Sequence, residues 1–313
     1  MNLQQLRYVY EVARHGLNVS EAAEALFTSQ PGVSKQIRLF ETELGIEVFV
    51  RHGKRLVAIT EPGRQVLAIA ERMLRDVESL RQVGDEFTNE SAGSLSIATT
   101  HTQARYVLPQ VVRDFLKRFP QVKLSLHQGN PRQVCEMVLS GEADLAIATE
   151  AIPDYDELVM LPCYQWNRCI VAAPRHPILR EQPLTLEAIA RHPVITYDDA
   201  FTGRSLINKA FLGRGLRPNV VLTAIDSDVI KTYVAMDLGI GILARMAYDP
   251  VADRALGMID AAHLFESSTT RVGLRRNAYL RGYVYSFIEL FAPHLTRRMV
   301  DVALAGGGED YAL

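Results

Sequence analysis

Between Asn18 and Glu43 the chain reads NVSEAAEALFTSQPGVSKQIRLFETE, two short helical periods joined by a tight break. No other stretch restricts the fold as strongly. Ser20 is placed as an N-cap, with Glu21 and Glu24 in a first turn where the helix dipole favours negative charge. Ala22, Ala23 and Leu26 form an apolar stripe whose small residues admit a second helix closely. Phe27 and Thr28 fill the turn. Ser29 caps the second helix, with Pro31 in its first turn, where no intrahelical N–H is needed. Val33, Ile37, Phe40 and Leu44 recur as one buried face. Ser29, Gln30, Pro31, Ser34, Lys35 and Arg38 are left toward solvent or toward a ligand. Gln and Ser hydrogen-bond base edges, and Lys and Arg reach phosphates or guanine. The spacing therefore predicts a helix-turn-helix that reads the major groove. The alternative is an ordinary helical hairpin with a solvated polar face.

The flanks favour the first reading. Leu3, Leu6, Tyr10 and Ala13 make an amphipathic helix ahead of the motif. Val48–Val50 and Leu56–Ile59 read as two short strands around the basic turn Arg51-His52-Gly53-Lys54-Arg55. That hairpin suits a wing in which Arg51, Lys54 and Arg55 meet phosphates or the minor groove; a basic loop kept for solubility is the alternative. Net charge over the 313 residues is −2, so DNA contact has to come from a local patch. Residues 1–60 are thus expected to form a winged helix-turn-helix. Residues 61–92 read as a long linker helix with Val66, Ala70, Met73, Val77, Leu80, Gly84 and Phe87 along a coiled-coil seam. The seam suits dimerisation, since two-fold DNA sites call for paired readers; packing of the helix on the chain's own C-terminal domain is the rival. Asn89 to Ser94 reads as a linker.

From Leu95 onward, strand-like and helix-like segments alternate. Strands are expected at Leu95–Ala98, Val122–His127 and Asp144–Ala148, with helices at Val107–Phe119 and Val134–Leu139. A second unit runs through Cys169–Ala172, Val194–Tyr197, a helix Ser205–Arg214, Val220–Leu222, a helix Asp228–Met236 and Gly241–Leu243. Thr269–Leu274 returns to the first unit, with Tyr283–Phe291 as its final helix and a disordered tail over Ala305–Asp310. Doubly wound order in two units implies a clamshell that holds a ligand at the carboxyl ends of its strands. The boundaries are residues 93–313 for this α/β two-lobed sensor, lobe I near 93–163 and 266–300, lobe II near 167–264.

Several function classes are disfavoured. Arg7, Glu11 and Arg14 interrupt any secretory core at the start, and no run is long enough to span a membrane. The three cysteines, Cys135, Cys163 and Cys169, lack metal-ligand spacing and suggest buried thiols in a reducing cytoplasm. His101 with Asp144 or Asp198 suggests a hydrolase triad only on paper, because no Gly-x-Ser-x-Gly elbow or marked nucleophile accompanies it. No phosphate loop, dinucleotide fingerprint or zinc pattern appears. A non-enzymatic protein without cofactor or metal is expected.

The stretches TSQPGVSKQIR, RHGKR, TEPGR, ATTHTQARYVLP, GEADLAIATE and LPCYQWNR resemble the LysR-type transcriptional regulators over the whole length. The run Ala98–Pro109 and the segment Tyr164-Gln165-Trp166-Asn167 resemble, within that family, the activators of cysteine biosynthesis and sulfate assimilation genes. The resemblance implies an N-terminal winged helix-turn-helix with a linker helix and a C-terminal two-lobed sensor like a periplasmic binding protein. It implies promoter DNA and RNA polymerase as partners and a homotetramer built as a dimer of dimers. N-acetylserine or O-acetylserine is the implied inducer, with sulfate or thiosulfate able to occupy the cleft. A paralogue controlling sulfonate use would look nearly the same. The residues fit an oxyanion cleft: Thr100, Thr102 and Gln103 follow the first sensor strand and precede a helix, where backbone N–H groups and the dipole attract an anion. Thr149 ends a neighbouring strand, Trp166 lies at the first crossing between lobes, and Thr202 precedes a helix of the second lobe. Each threonine alone reads as a helix cap or a strand-end hydroxyl bonded to its own backbone.

Overall fold

The computed structural model describes residues 1–53, 55–88, 92–149, 155–199 and 202–307. Contacts divide it into two compact units, Met1–Thr88 and Asn89–Leu313.

In the first unit, α1 (Leu3–Arg14) begins with a capping box in which Asn2 and Gln5 satisfy each other's backbone. Its buried face is Leu6, Val9 and Val12; Leu3 is exposed and Tyr10 and Ala13 are only half-buried, so the face runs slightly off the expected stripe. The next helix, α2 (Val19–Ala25), is capped by Asn18, whose Oδ1 accepts from the N–H groups of Ser20 and Glu21. Ser20 therefore lies inside the helix rather than at its cap. Ala22 and Ala23 are buried against α3 (Gln30–Leu44), which Ser29 caps through Gly32 N–H. The left-handed Gly45 (φ 71°) ends α3, as glycine commonly does. Val33, Ile37 and Phe40 are buried as expected, but Leu44 is exposed and Glu41 is buried in its stead. β1 (Phe49–His52) and β2 (Arg55–Ile59) pair antiparallel into the wing.

A long helix, α4 (Glu61–Thr88), follows. It starts against β1 so closely that a Cβ on Gly63 would stand 2.2 Å from the Val48 carbonyl oxygen, which only glycine tolerates. The apolar stripe of α4 is divided. Ala70 is fully buried and Val66 and Met73 pack on the core of α1 and α3, whereas Leu80 and Gly84 are exposed. The first half of the seam thus serves its own N-terminal unit. The side chain of Phe87 lies outside the described residues.

In the second unit the strand β3 (Ala92–Thr99) already includes Ala92, Gly93 and Ser94, which the sequence reading put in a linker; Asn89–Ser91 lie outside the described residues. The helix expected at Val107–Phe119 is α6 (Leu108–Arg118), and a further short helix, α5 (His101–Tyr106), precedes it. Pro109 sits in the first turn of α6, where its missing N–H breaks no helix bond. β4 (Gln121–Gln128), α7 (Pro131–Ser140), β5 (Leu145–Thr149) and β6 (Leu158–Trp166) complete the first pass through lobe I. Lobe II is β7 (Arg168–Ala172), α8 (Leu186–Ala190), β8 (Pro193–Tyr197), α9 (Thr202–Leu212), β9 (Asn219–Ala224), α10 (Ser227–Ala235), β10 (Ile240–Ala244) and β11 (Gly257–Asp260). The chain returns to lobe I through β12 (Ser268–Arg275) and α11 (Gly282–Phe291). One more helix, α12 (Arg297–Leu304), follows where α11 was expected to be last. Gly308–Asp310 of the expected tail lie outside the described residues.

Among the described residues the two lobes carry five-stranded sheets of order β4-β3-β5-β12-β6 and β11-β7-β10-β8-β9. β3 is parallel to β4 and β5, and β8 to β9 and β10, while β12 and β7 run antiparallel to their neighbours. Every residue of β5, β7 and β10 is buried, because helices cover both faces of each sheet. β5 lies on one side of β3 and β4 on the other, so a crevice opens beyond Thr99 and Thr149; the β8/β10 pair does the same in lobe II. The lobes are joined at Trp166–Arg168 and between β11 and β12. Asn167 stitches the crossings together, its Nδ2 donating to the carbonyls of Ala262 and Phe265 at 3.1 Å each. No described helix is long and apolar enough to cross a membrane.

Candidate functional site

The surface of α3 carries the first set of candidate groups. Ser29, Gln30, Pro31, Lys35 and Arg38 are exposed and Ser34 is half-buried. Gln30 and Ser34 lie one turn apart on one face, and Gln30 Nε2 donates to Ser34 Oγ at 3.3 Å. That weak, exposed bond exchanges readily for contacts to a base edge. The wing is less uniform than its sequence suggests. Arg55 is exposed and Lys54 lies outside the described residues. Arg51 is committed inward: its guanidinium meets Glu41 Oε2 at 2.5 Å. Glu41 Oε1 also accepts from the N–H groups of Val48 and Phe49, at 2.8 and 3.2 Å. Arg51 and Glu41 thus pin the wing to α3, a structural task that the basic run did not reveal.

The cleft between the lobes brings the second set together. Thr100, Thr102, Gln103, Thr149 and Trp166 line one cavity of about 40 Å³, closed on the far side by Tyr197 and Gly203. Thr202 opens α9 next to Gly203; its side chain lies outside the described residues. Thr100 stands at the N-cap position of α5 but makes no side-chain capping bond. The capping alternative is therefore removed for this residue. α5 is only six residues long, so its dipole is weaker than the sequence argument assumed and the hydroxyls carry more of the polarity.

Two of the expected donors are already engaged. Gln103, 1% exposed, donates from Nε2 to Thr270 Oγ1 at 3.1 Å and accepts a hydrogen bond from the Tyr164 hydroxyl. Trp166 Nε1 donates to the same Thr270 Oγ1, also at 3.1 Å. Burial pushes the Tyr164 hydroxyl up to about 12, so it stays a donor. Thr102 faces the Tyr197 hydroxyl across the cleft. Tyr197 in turn shares a bond with Ser227 Oγ at 2.7 Å and accepts from Ala244 N–H at 3.1 Å. Behind the wall, fully buried Arg168 donates to Ser268 Oγ at 2.8 Å and to the Glu266 carbonyl at 3.0 Å, with its guanidinium over the Trp166 ring at 5.3 Å.

His101 also lines the cavity, with Nε2 3.8 Å from Asp228 Oδ2. His101, Asp226 and Asp228 have ligand-type atoms within 4.8 Å of one another. Asp228 already faces Arg105 and Lys231 and accepts from Tyr106, which leaves its oxygens committed to cations and a hydroxyl rather than to a metal. The cysteines are free and buried, and burial pushes each thiol up to about 12. At neutral pH they carry negligible thiolate.

This pairing of a helix-turn-helix face with a two-lobed cleft has close parallels among known proteins. The chain matches the profile "Bacterial regulatory helix-turn-helix protein, lysR family" over residues 3–64 and "LysR substrate binding domain" over residues 88–296. It belongs to the LysR family of transcriptional regulators. It is 56% identical to the transcriptional regulator CysB of Burkholderia cenocepacia over all of both chains. It is 55% identical to SsuR of the same organism, covering 94% of this chain and 96% of that one. Among solved structures, the cofactor-binding domain of the Cbl transcriptional regulator matches with a TM-score of 0.67 at 43% identity, over 69% of this chain and 95% of that chain. A full-length OxyR variant from Pseudomonas aeruginosa shares the fold, with a TM-score of 0.69 at 19% identity, over 93% of this chain and 97% of that chain. The regulator thus binds DNA through its first unit and a small effector through its second; its relatives are regulators and not enzymes.

Sequence reading missed Tyr164, Tyr197, Thr270 and Arg168. Thr270 is 121 positions beyond Thr149, yet the two are register partners in β5 and β12. No local pattern marks that pairing. Tyr164 and Arg168 did flank the Trp166 segment, and their closeness to the crossing was the available signal.

Proposed function

We propose that this regulator controls cysteine biosynthesis and sulfate assimilation genes in response to a small anion held between the lobes. The observation that carries this reading is Thr100, an N-cap threonine without a capping bond, set in a cavity with Thr102, Thr149 and Trp166. Neutral hydroxyl and amide donors suit an oxyanion recognised by shape and released readily. The cavity's 40 Å³ is room for roughly three water molecules, close to a sulfate or thiosulfate ion. N-acetylserine or O-acetylserine needs more space and enters with the lobes further apart. Ser29, Gln30, Pro31, Ser34, Lys35, Arg38, Lys54 and Arg55 form the promoter-facing surface in this reading, and Arg51 supports it from behind. Residues 1–60, 61–92 and 93–313 serve as reader, linker and sensor. The exposed half of the α4 stripe supports pairing of chains, hence a dimer and, with the sensors, a tetramer acting on RNA polymerase in the cytoplasm.

Similarity to CysB and SsuR is nearly equal, at 56% and 55%, so regulation of sulfonate-use genes is the second reading. Gel shifts with promoters of both gene sets, with and without N-acetylserine, sulfate and thiosulfate, test the proposal. Binding to a cysteine-biosynthesis promoter that N-acetylserine alters is the expected result. Absence of binding to any such promoter at moderate salt overturns it, and binding confined to sulfonate-use promoters selects the second reading.

A further inference from the structure

The short helix α5 serves two places at once. Its first turn supplies Thr102 and Gln103 to the cavity, while His101, Arg105 and Tyr106 converge on Asp228 at the start of α10 in the opposite lobe. The Tyr106 hydroxyl donates to Asp228 Oδ1 at 2.7 Å, and Arg105 Nε stands 3.5 Å from Oδ2. Lys231, one turn further along α10, faces Asp228 Oδ1 at 3.3 Å and the Tyr106 ring at 5.0 Å. Lys231 is anchored within lobe II by Asp253 at 3.0 Å and by the Ala247 carbonyl at 3.0 Å. Among the described residues, Asp228 is thus the carboxylate of lobe II on which His101, Arg105 and Tyr106 of α5 converge, with Asp226 beside His101. Burial alone would raise its pKa, but the Tyr106 bond and the Lys231 charge outweigh that and hold it below the ordinary carboxylate value.

Any motion that widens the cavity at α5 must separate these groups. An ion of sulfate's size fits without that separation. A longer acylated amino acid does not, and its binding has to include the cost of breaking the Asp228 contacts. We propose that Asp228 is a size gate for the effector cleft, favouring a compact oxyanion over a larger carboxylate ligand. This rests on reading the cleft as an anion pocket. Asp228 acts through α5 and is a positioning residue, not a contact to the ligand.

Calorimetric titration of the full-length protein with sulfate and, separately, with N-acetylserine tests the gate in wild type, Asp228→Asn, Tyr106→Phe and the double variant. Opening the latch lowers the population of the compact form, and apparent affinity for its ligand falls with that population. Each single variant is expected to weaken sulfate by about tenfold while N-acetylserine binding is unchanged or tighter. The double variant should weaken sulfate by less than the two single effects multiplied, since both act on contacts to the same carboxylate. Equal weakening of both ligands, or an unchanged ratio, overturns the gate; if Asp228→Asn does not fold, the ratio in Tyr106→Phe decides. A wild-type protein that takes up neither ligand overturns the cleft reading itself. Uptake of both with an unmoved ratio overturns the gate alone.

Discussion

The reading face of α3 and the cleft between the lobes are both polar, and they treat their polar groups in opposite ways. On α3, Lys35 and Arg38 point to solvent and Gln30 and Ser34 share one long exposed bond. In the cleft, buried Gln103 and Thr270 bond to each other and to half-buried Tyr164 and Trp166, and Thr102 faces Tyr197. An exposed face keeps its donors available because water satisfies them until DNA displaces it. A buried cleft has no such reservoir, so its groups must be paired in advance and only a few hydroxyls remain for a ligand. The first surface suits a large charged partner, the second a small ligand selected by shape.

The contrast weakens most if the reading end also depends on buried polar pairing. Glu41→Ala tests this, since it strips the acceptor from two buried N–H groups and from Arg51. It should cost about 3 kcal/mol, seen as a lower melting temperature of the first unit with loss of DNA binding. In the cleft, Thr270→Val removes the shared acceptor of Gln103 and Trp166 and should cost about 2 kcal/mol, with effector response lost and DNA affinity kept. A normal effector titration in that variant would mean that the pairing does not shape the site. On α3, Gln30→Ala and Ser34→Ala should each cost about 1 kcal/mol of base discrimination in competition binding. Their stability should change by less than about 0.5 kcal/mol. A specificity profile identical to wild type would move the base contacts elsewhere.

The smallest effect concerns pH. Asp228 has a lowered native pKa, so its contribution is fully present above its unfolded value of about 3.9 and is lost as pH falls through the lower native value. Lys231 has a raised pKa, so its contribution is fully present below its unfolded value of about 10.4 and is lost only as pH rises through the native value. The Tyr106 hydroxyl, pushed up to about 12 by burial, keeps its proton. Asp228, Lys231 and Tyr106 keep their charge states from about pH 5 to 8, so a slope there in the ratio of sulfate affinities between wild type and Tyr106→Phe is assigned to His101, whose Nε2 stands 3.8 Å from Asp228 Oδ2. A flat ratio would remove His101 from the latch.

The expected helices and strands were largely legible because each writes a periodic pattern into its own segment. Ser29 and Pro31 announce α3, and Val33, Ile37 and Phe40 mark its buried face. The errors fell where one local signal has two outcomes. Ser20 and Asn18 are both good caps, and Asn18 won by accepting from two N–H groups. The α4 stripe looked uniform because seven-residue periodicity does not say which partner covers it. Leu80 is 71% exposed while Ala70 is fully buried on the same stripe.

For the cleft, the threonines at strand ends were visible as positions, since strand, short turn and helix alternate around them. Their chemistry was not. Whether Thr100 caps its helix, whether Gln103 is spent on Thr270, and whether Arg51 faces DNA or Glu41 depend on groups far away in sequence. The sequence by itself determined the helix-turn-helix, the α/β alternation of the sensor and the family to which the chain belongs, because these rest on local periodicity and contiguous motifs. The tertiary structure alone decided which polar groups remain available to a ligand and that Asp228 joins the lobes across the cavity. Burial and hydrogen-bond partners are set by packing between segments, and a single chain read in order contains no record of that pairing.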